Sequence, residues 1–208
     1  MTVTEAVVLR IVRYSDTRWI VDMLTRERGR VSFACTVSGK GRGRSLRNIL
    51  QPLTLLSVTA EYRPQQDVQR LASAQLSAPY ASMLMHLEKL SVALFLAEFL
   101  TYATRGSQRD EQLFDFVREA LLLFDQMEEG VANFHLLFMI RLAGCLGFFP
   151  NLEDYRKGCV FDLRMASFVG VKPGHADFVP AADAEYFLLL MRMSWSNLKF
   201  FRLSHHDR

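Results

Sequence analysis

Glycine and cation alternate through Gly39-Lys40-Gly41-Arg42-Gly43-Arg44, and Arg47 follows with no acid nearby. Guanidinium and ammonium groups donate hydrogen bonds and accept none, so the chemistry this spacing offers is neutralisation of a polyanion, phosphate above all. Just upstream, Arg26, Arg28 and Arg30 recur at every second position. Arg26, Arg28, Arg30, Lys40, Arg42, Arg44 and Arg47 are therefore the candidate nucleic-acid-binding residues. The charge is local. Residues 1–47 hold ten Lys/Arg against four Asp/Glu, a net +6, while the other fifteen basic and eighteen acidic residues give −3 and the whole chain +3. The stretch around residues 39–47 is expected to be extended and mobile, with its cations clear of the protein's own carboxylates.

Other chemistries find no residues to carry them. A phosphate loop needs Ser or Thr after its lysine, and Lys40 is followed by Gly41. A dinucleotide fingerprint needs a third glycine where Arg44 or Leu46 stands. Structural zinc needs four closely paired Cys/His ligands, yet Cys35, Cys145 and Cys159 are far apart, and His175 lies sixteen residues from Cys159. No metal, no cofactor and no catalytic residue is expected. His86 and His135 read as core histidines within apolar helices, and Asp110-Glu111 as acids at a helix N-terminus. Among the aromatics, Trp19, Phe33 and Tyr62 are the candidates for base stacking in the strand-rich end, each set against the commoner fate of packing in the core.

The elements that must position these cations follow from periodicity. Val7, Leu9 and Ile11 share one parity; Val31, Phe33, Cys35 and Val37 share another, with Arg30, Ser32, Ala34 and Thr36 facing away. Trp19–Leu24 is a further strand, joined to the next by a polar turn ending at Gly29. Leu53–Tyr62 and Val68–Leu76 complete five strands. A small closed barrel of the OB type fits that count. After Pro79 the period becomes helical: Tyr80–Thr104 reads as a helix buried at the centre of a bundle, followed by Asp110–Glu128, Ala132–Leu146 and a last helix from Pro180 to about Ser196. A short extended piece falls around Val160–Val169. The fold class is thus α+β: an OB-type nucleic-acid-binding barrel over residues 1–78 and a helical domain over 79–208. Three unpaired cysteines, no signal peptide and no apolar run of about 20 residues predict a cytoplasmic protein outside the membrane.

In its motifs the chain resembles the RecO family of bacterial recombination mediators. The likeness runs through Ala6-Val7-Val8-Leu9-Arg10, Tyr14-Ser15-Asp16-Thr17, Ile20-Val21, Leu24-Thr25-Arg26-Glu27-Arg28-Gly29-Arg30, the glycine/arginine loop and Leu50-Gln51-Pro52-Leu53. It resumes at Leu146-Gly147-Phe148-Phe149-Pro150-Asn151-Leu152 and Phe161-Asp162-Leu163. The resemblance implies an N-terminal OB fold, a helical domain and no enzymatic turnover. It implies binding of single- and double-stranded DNA, annealing of complementary strands, cooperation with RecR in loading the recombinase, and contact with the C-terminal tail of single-strand-binding protein. Many members hold zinc with four cysteines. Here Tyr155 and Gly158 stand where the first pair would fall, so zinc is not carried over. The family also continues past Phe200-Phe201-Arg202-Leu203 into a C-terminal helix, and truncation of this chain is an expectation. A reading of another class makes the chain a scaffold whose apolar helical half grips a partner peptide, the basic loop being incidental.

Overall fold

The structure, a computed structural model, describes residues 1–38 and 41–203, with Gly41 and Arg42 described in backbone only. It divides into two compact units, Met1–Met127 and Glu128–Arg208.

In the first unit, β1 (Thr2–Arg13), β2 (Arg18–Thr25), β3 (Gly29–Thr36), β4 (Leu55–Glu61) and β5 (Val68–Ala78) close a barrel in the order β1-β2-β3-β5-β4. Every pairing is antiparallel except β3 with β5, a parallel seam running only from Ser32–Val68 to Ala34–Arg70. Alternating residues fill the interior: Ala6 and Val8, Val21 and Met23, Phe33 and Cys35, Val58 and Ala60. The middle of β1 is dry on its other face too, where Val7 and Leu9 are buried, whereas Val3, Arg10, Val12 and Arg13 toward its ends are exposed. α2 (Leu87–Ala103) packs against that strand.

Part of the glycine/arginine stretch departs from the extended form expected of it. Gly41–Ile49 is a helix, α1. Two glycines in a helix cost about 1 kcal/mol each relative to alanine. Packing overrides that penalty: Leu46, Ile49 and buried Leu50 close the barrel core, and full burial of one such side chain stabilises by about 1.5–3 kcal/mol. Gly43 is required by proximity. A Cβ there would lie 2.3 Å from the Ser38 backbone nitrogen and from its Oγ.

The expected helix from Tyr80 begins only at Leu87. Residues before it spend their backbone donors on a side chain: Ala81, Ser82 and Met83 N–H groups donate to the Asp125 carboxylate at 2.8, 2.8 and 2.6 Å. Lys89 Nζ, itself buried, donates to the Asp125 carbonyl at 2.7 Å and to Ser82 Oγ at 2.6 Å. Nor does α2 run through the centre of a bundle, since Leu87, Leu94, Phe95 and Tyr102 are exposed along it. α3 (Glu111–Gln126) starts where expected, capped by Asp110, whose side chain accepts from the Leu113 N–H at 2.9 Å. Its buried stripe includes Phe114, and Phe116 is only half-buried.

The second unit holds α4 (Phe134–Cys145), a three-stranded sheet and α5 (Ala181–Arg192), with a 3-10 helix at Trp195–Phe200. The extended piece near residue 160 is a hairpin of β6 (Val160–Asp162) and β7 (Ser167–Val169), joined by β8 (Phe178–Val179) on the other side of β6. Phe161, Phe168, Leu188 and Met191 form its core.

Candidate nucleic-acid interface

The turn between β2 and β3 brings three of the seven candidate cations together and gives them different work. Thr25 Oγ1 donates to the Gly29 carbonyl at 2.8 Å and accepts from the Arg28 N–H at 3.2 Å, tightening the turn. Gly29 has φ +66, and a Cβ on it would lie 2.3 Å from the Gln108 carbonyl. Glycine answers both demands.

Arg26 and Arg30 do not stand clear of the protein's carboxylates. Arg26 reaches Asp115 at 2.9 Å, Glu5 at 3.4 Å and Glu111 at 3.7 Å. Arg30 pairs with Asp22 at 3.0 Å, with the two side chains only 16% and 14% exposed, and its other terminal nitrogen donates to the Thr101 carbonyl. Ser32 Oγ donates to the second Asp22 oxygen at 2.5 Å. Both guanidiniums therefore tie the hairpin down within the unit. Arg28, between them, is exposed and sits 4.2 Å above the Tyr62 ring. Arg44 and Arg47 are exposed on α1. Lys40 lies outside the described residues, and of Arg42 only the helical backbone is described.

Barrel closure gathers further cations that the sequence scatters. A groove of about 710 Å³ opens over the β2–β3–β5 wall beside α1, lined by Tyr14, Arg18, Trp19, Ile20, Leu46 and Arg70 among others. Arg13 and Arg47 lie 5.1 and 5.8 Å from the Trp19 ring in its wall. Among the described residues, Arg13, Arg18, Arg44, Arg47 and Arg70 meet no carboxylate in an ion pair, whereas Arg26, Arg30, Arg63, Arg109, Arg118 and Arg164 do. This strand face, with the loops after β1 and β4, is where OB barrels commonly take oligomers.

The stacking candidates separate by burial. Trp19 is 4% exposed and Phe33 is wholly buried, so both are core. Tyr62 is half-buried, its ring meeting Phe33 edge-on at 6.1 Å. The aromatic that sequence reasoning passed over is Tyr14, 77% exposed in the β1–β2 loop at the groove. Cys35 also lines the groove, and burial pushes its thiol up to about 11, so it offers no thiolate at neutral pH. His86 is no core histidine: it is exposed at the N-cap of α2. Among the described residues no group of three His, Cys, Asp or Glu side chains could hold a metal ion, and no helix is long and apolar enough to cross a membrane.

Comparison with known proteins decides the family. Residues 1–80 match the family model described as recombination protein O, N terminal, and residues 85–208 match recombination protein O, C terminal. The chain belongs to the RecO family. It is 37% identical to the DNA repair protein RecO of Phocaeicola vulgatus, over 99% of this chain and 85% of that protein. The DNA repair proteins RecO of Bacteroides fragilis and Porphyromonas gingivalis are each 36% identical over 99% of this chain, covering 85% and 86% of their own lengths. Membership accords with the barrel-then-helix architecture and makes this a protein of DNA repair and recombination.

Proposed function

We propose that this RecO-family chain is a non-catalytic cytoplasmic protein that binds single- and double-stranded DNA through its barrel domain, residues 1–78. It anneals complementary strands and, with RecR, helps load the recombinase. Residues 79–208 form the helical domain that contacts the tail of single-strand-binding protein. The observation that carries this reading is the collar of Arg13, Arg18, Arg47 and Arg70, without an ion pair among the described residues, around a groove on the OB barrel, with Arg44 exposed on α1 beside it. The other cations of the proposed phosphate-binding set are Lys40, Arg42 and, at the β2–β3 turn, Arg28, while Arg26 and Arg30 hold that hairpin. Such cations release counterions from phosphates without reading bases, so binding is largely independent of sequence. With two strands neutralised on one protein, their mutual repulsion falls and pairing begins.

The test is binding of a labelled single strand across a salt series. About five phosphate contacts at about −0.7 each give a slope of log affinity near −3.5. A slope near zero refutes the reading. A scaffold role is favoured by one observation, the exposed apolar residues Leu87, Leu94, Phe95 and Tyr102 on α2. A labelled acidic peptide with an aromatic end should then bind the full chain and lose affinity when Leu94 and Phe95 become serine; unaltered binding sets that surface aside.

A further inference from the structure

The Arg28–Tyr62 stack has the composition of a base-stacking site occupied by one of the protein's own cations. The Tyr62 ring meets the buried Phe33 ring edge-on, their centroids 6.1 Å apart at an interplanar angle of 70°. The Arg28 guanidinium lies over the Tyr62 ring, 4.2 Å from its centroid. Arg28 alone of the three hairpin arginines makes no ion pair among the described residues, its neighbours being held by Asp115 and Asp22. The turn beneath it is pinned by Gly29 against Gln108, so the part free to move is the Arg28 side chain. Beside the pair opens a polar pocket of about 390 Å³, lined by Arg28, Arg30, Ser32, Tyr62, Asp67 and Gln69. That volume is within the range of about 300–1,000 Å³ usual for small-ligand sites. Among the described residues the buried Tyr62 hydroxyl meets no hydrogen-bond partner.

We infer that Tyr62 is a stacking platform for one unpaired nucleobase of a single strand, and that Arg28 covers it until the base displaces it and the guanidinium moves to the adjoining phosphate. This rests on the DNA-binding function proposed above and adds a subsite to it. The exchange runs in the base's favour. An exposed cation–π contact is worth a factor of about 2–5, and a stacked base about 5–150. The displaced cation also gains a phosphate in place of a neutral ring. A paired base cannot enter, so the subsite gives a preference for single strands that phosphate contacts alone do not supply.

The experiment measures fluorescence anisotropy of the full chain with three probes: a mixed-sequence single strand, an abasic strand of the same length, and a duplex. Wild type should prefer the base-bearing strand over the abasic one. Tyr62→Ala should lower affinity for the base-bearing strand about 5- to 20-fold, the lower part of the stacking range because Arg28 competes, and leave the abasic strand and duplex unchanged. Tyr62→Phe should bind as wild type. Should Tyr62→Ala fail to fold, Arg28→Ala decides: it uncovers the ring, so the ratio of base-bearing to abasic affinity should rise while the salt slope flattens by about 0.7. Equal binding of the two strands by wild type, an equal loss on both with Tyr62→Ala, or an unchanged ratio with Arg28→Ala overturns the inference and leaves the DNA-binding reading intact. Absence of binding to all three probes removes both.

Discussion

Replacing Arg30 by alanine separates a structural cation from a phosphate-binding one. The side chain is 16% exposed, and its guanidinium makes two charge-assisted contacts, to Asp22 at 3.0 Å and to the Thr101 carbonyl. Hydrogen bonds involving a charged group contribute about 1.5–3 kcal/mol, and removing one partner of a buried pair costs about 3–5 kcal/mol because the other charge stays behind. Among the described residues Asp22 would keep only the Ser32 hydroxyl, so a loss of about 3–5 kcal/mol is expected. At about 2–4 °C per kcal/mol for a chain of this size, the unfolding midpoint should fall by about 6–20 °C. The assay pairs a thermal melt with the salt dependence of single-strand binding below the new midpoint. Arg30→Ala should lower the midpoint and leave the slope of log affinity as it was. The opposite pattern, an unchanged melt with a slope flatter by about 0.7, refutes the assignment and returns Arg30 to the phosphate-binding set. Arg26→Ala should behave alike but more weakly, near 1 kcal/mol, since its pairs are about a third exposed.

Three further outcomes follow from the same contacts. Burial pushes the Asp125 carboxyl up, but the N–H groups of Ala81, Met83 and Ser82 and the nearby Lys89 outweigh it and hold it below the ordinary Asp value of about 3.9. A depressed folded-state value gives stability that is complete above pH 4 and is lost as pH falls through the folded value. Wild type should therefore lose more stability than Asp125→Asn between pH 5 and pH 3 in denaturant titrations; parallel losses contradict this. Gly43→Ala should destabilise by about 1–3 kcal/mol through the Ser38 clash, although helix propensity alone predicts a gain of about 1 kcal/mol, so the sign from chemical unfolding decides. In native protein at pH 8, mass spectrometry after alkylation should find Cys145 modified well before Cys35, which is buried with its thiol raised to about 11; early labelling of Cys35 argues against the closed barrel wall.

The barrel was legible because a strand buried on one side writes its alternation into the chain, as Val31, Phe33, Cys35 and Val37 do, and because Gly29 marks the turn. α1 was not, because Gly41 and Gly43 argue against a helix locally and the burial of Leu50 that sustains it is a tertiary fact. The late start of α2 depends on Asp125, more than forty residues from the donors it claims. The pairing of Arg26 and Arg30 is a tertiary fact as well: Asp115 lies 89 residues from Arg26, and Asp22 sits on the strand neighbouring Arg30. Arg13, Arg18 and Arg70 converge only once β2, β3 and β5 close, so no local run announces them. Tyr14 does carry a signal, an aromatic within a polar turn, whereas Trp19 and Phe33 at alternating strand positions are core.

On the proposed reading the collar on the barrel, rather than Arg26 and Arg30, carries the phosphates. Its most direct measurement is the salt slope of single-strand affinity for a variant with Arg18, Arg44, Arg47 and Arg70 changed to glutamate, its fold checked by an unaltered melt. Four lost contacts at about 0.7 each predict a slope flatter by about 2.8. A slope equal to wild type, in a folded variant, contradicts the account.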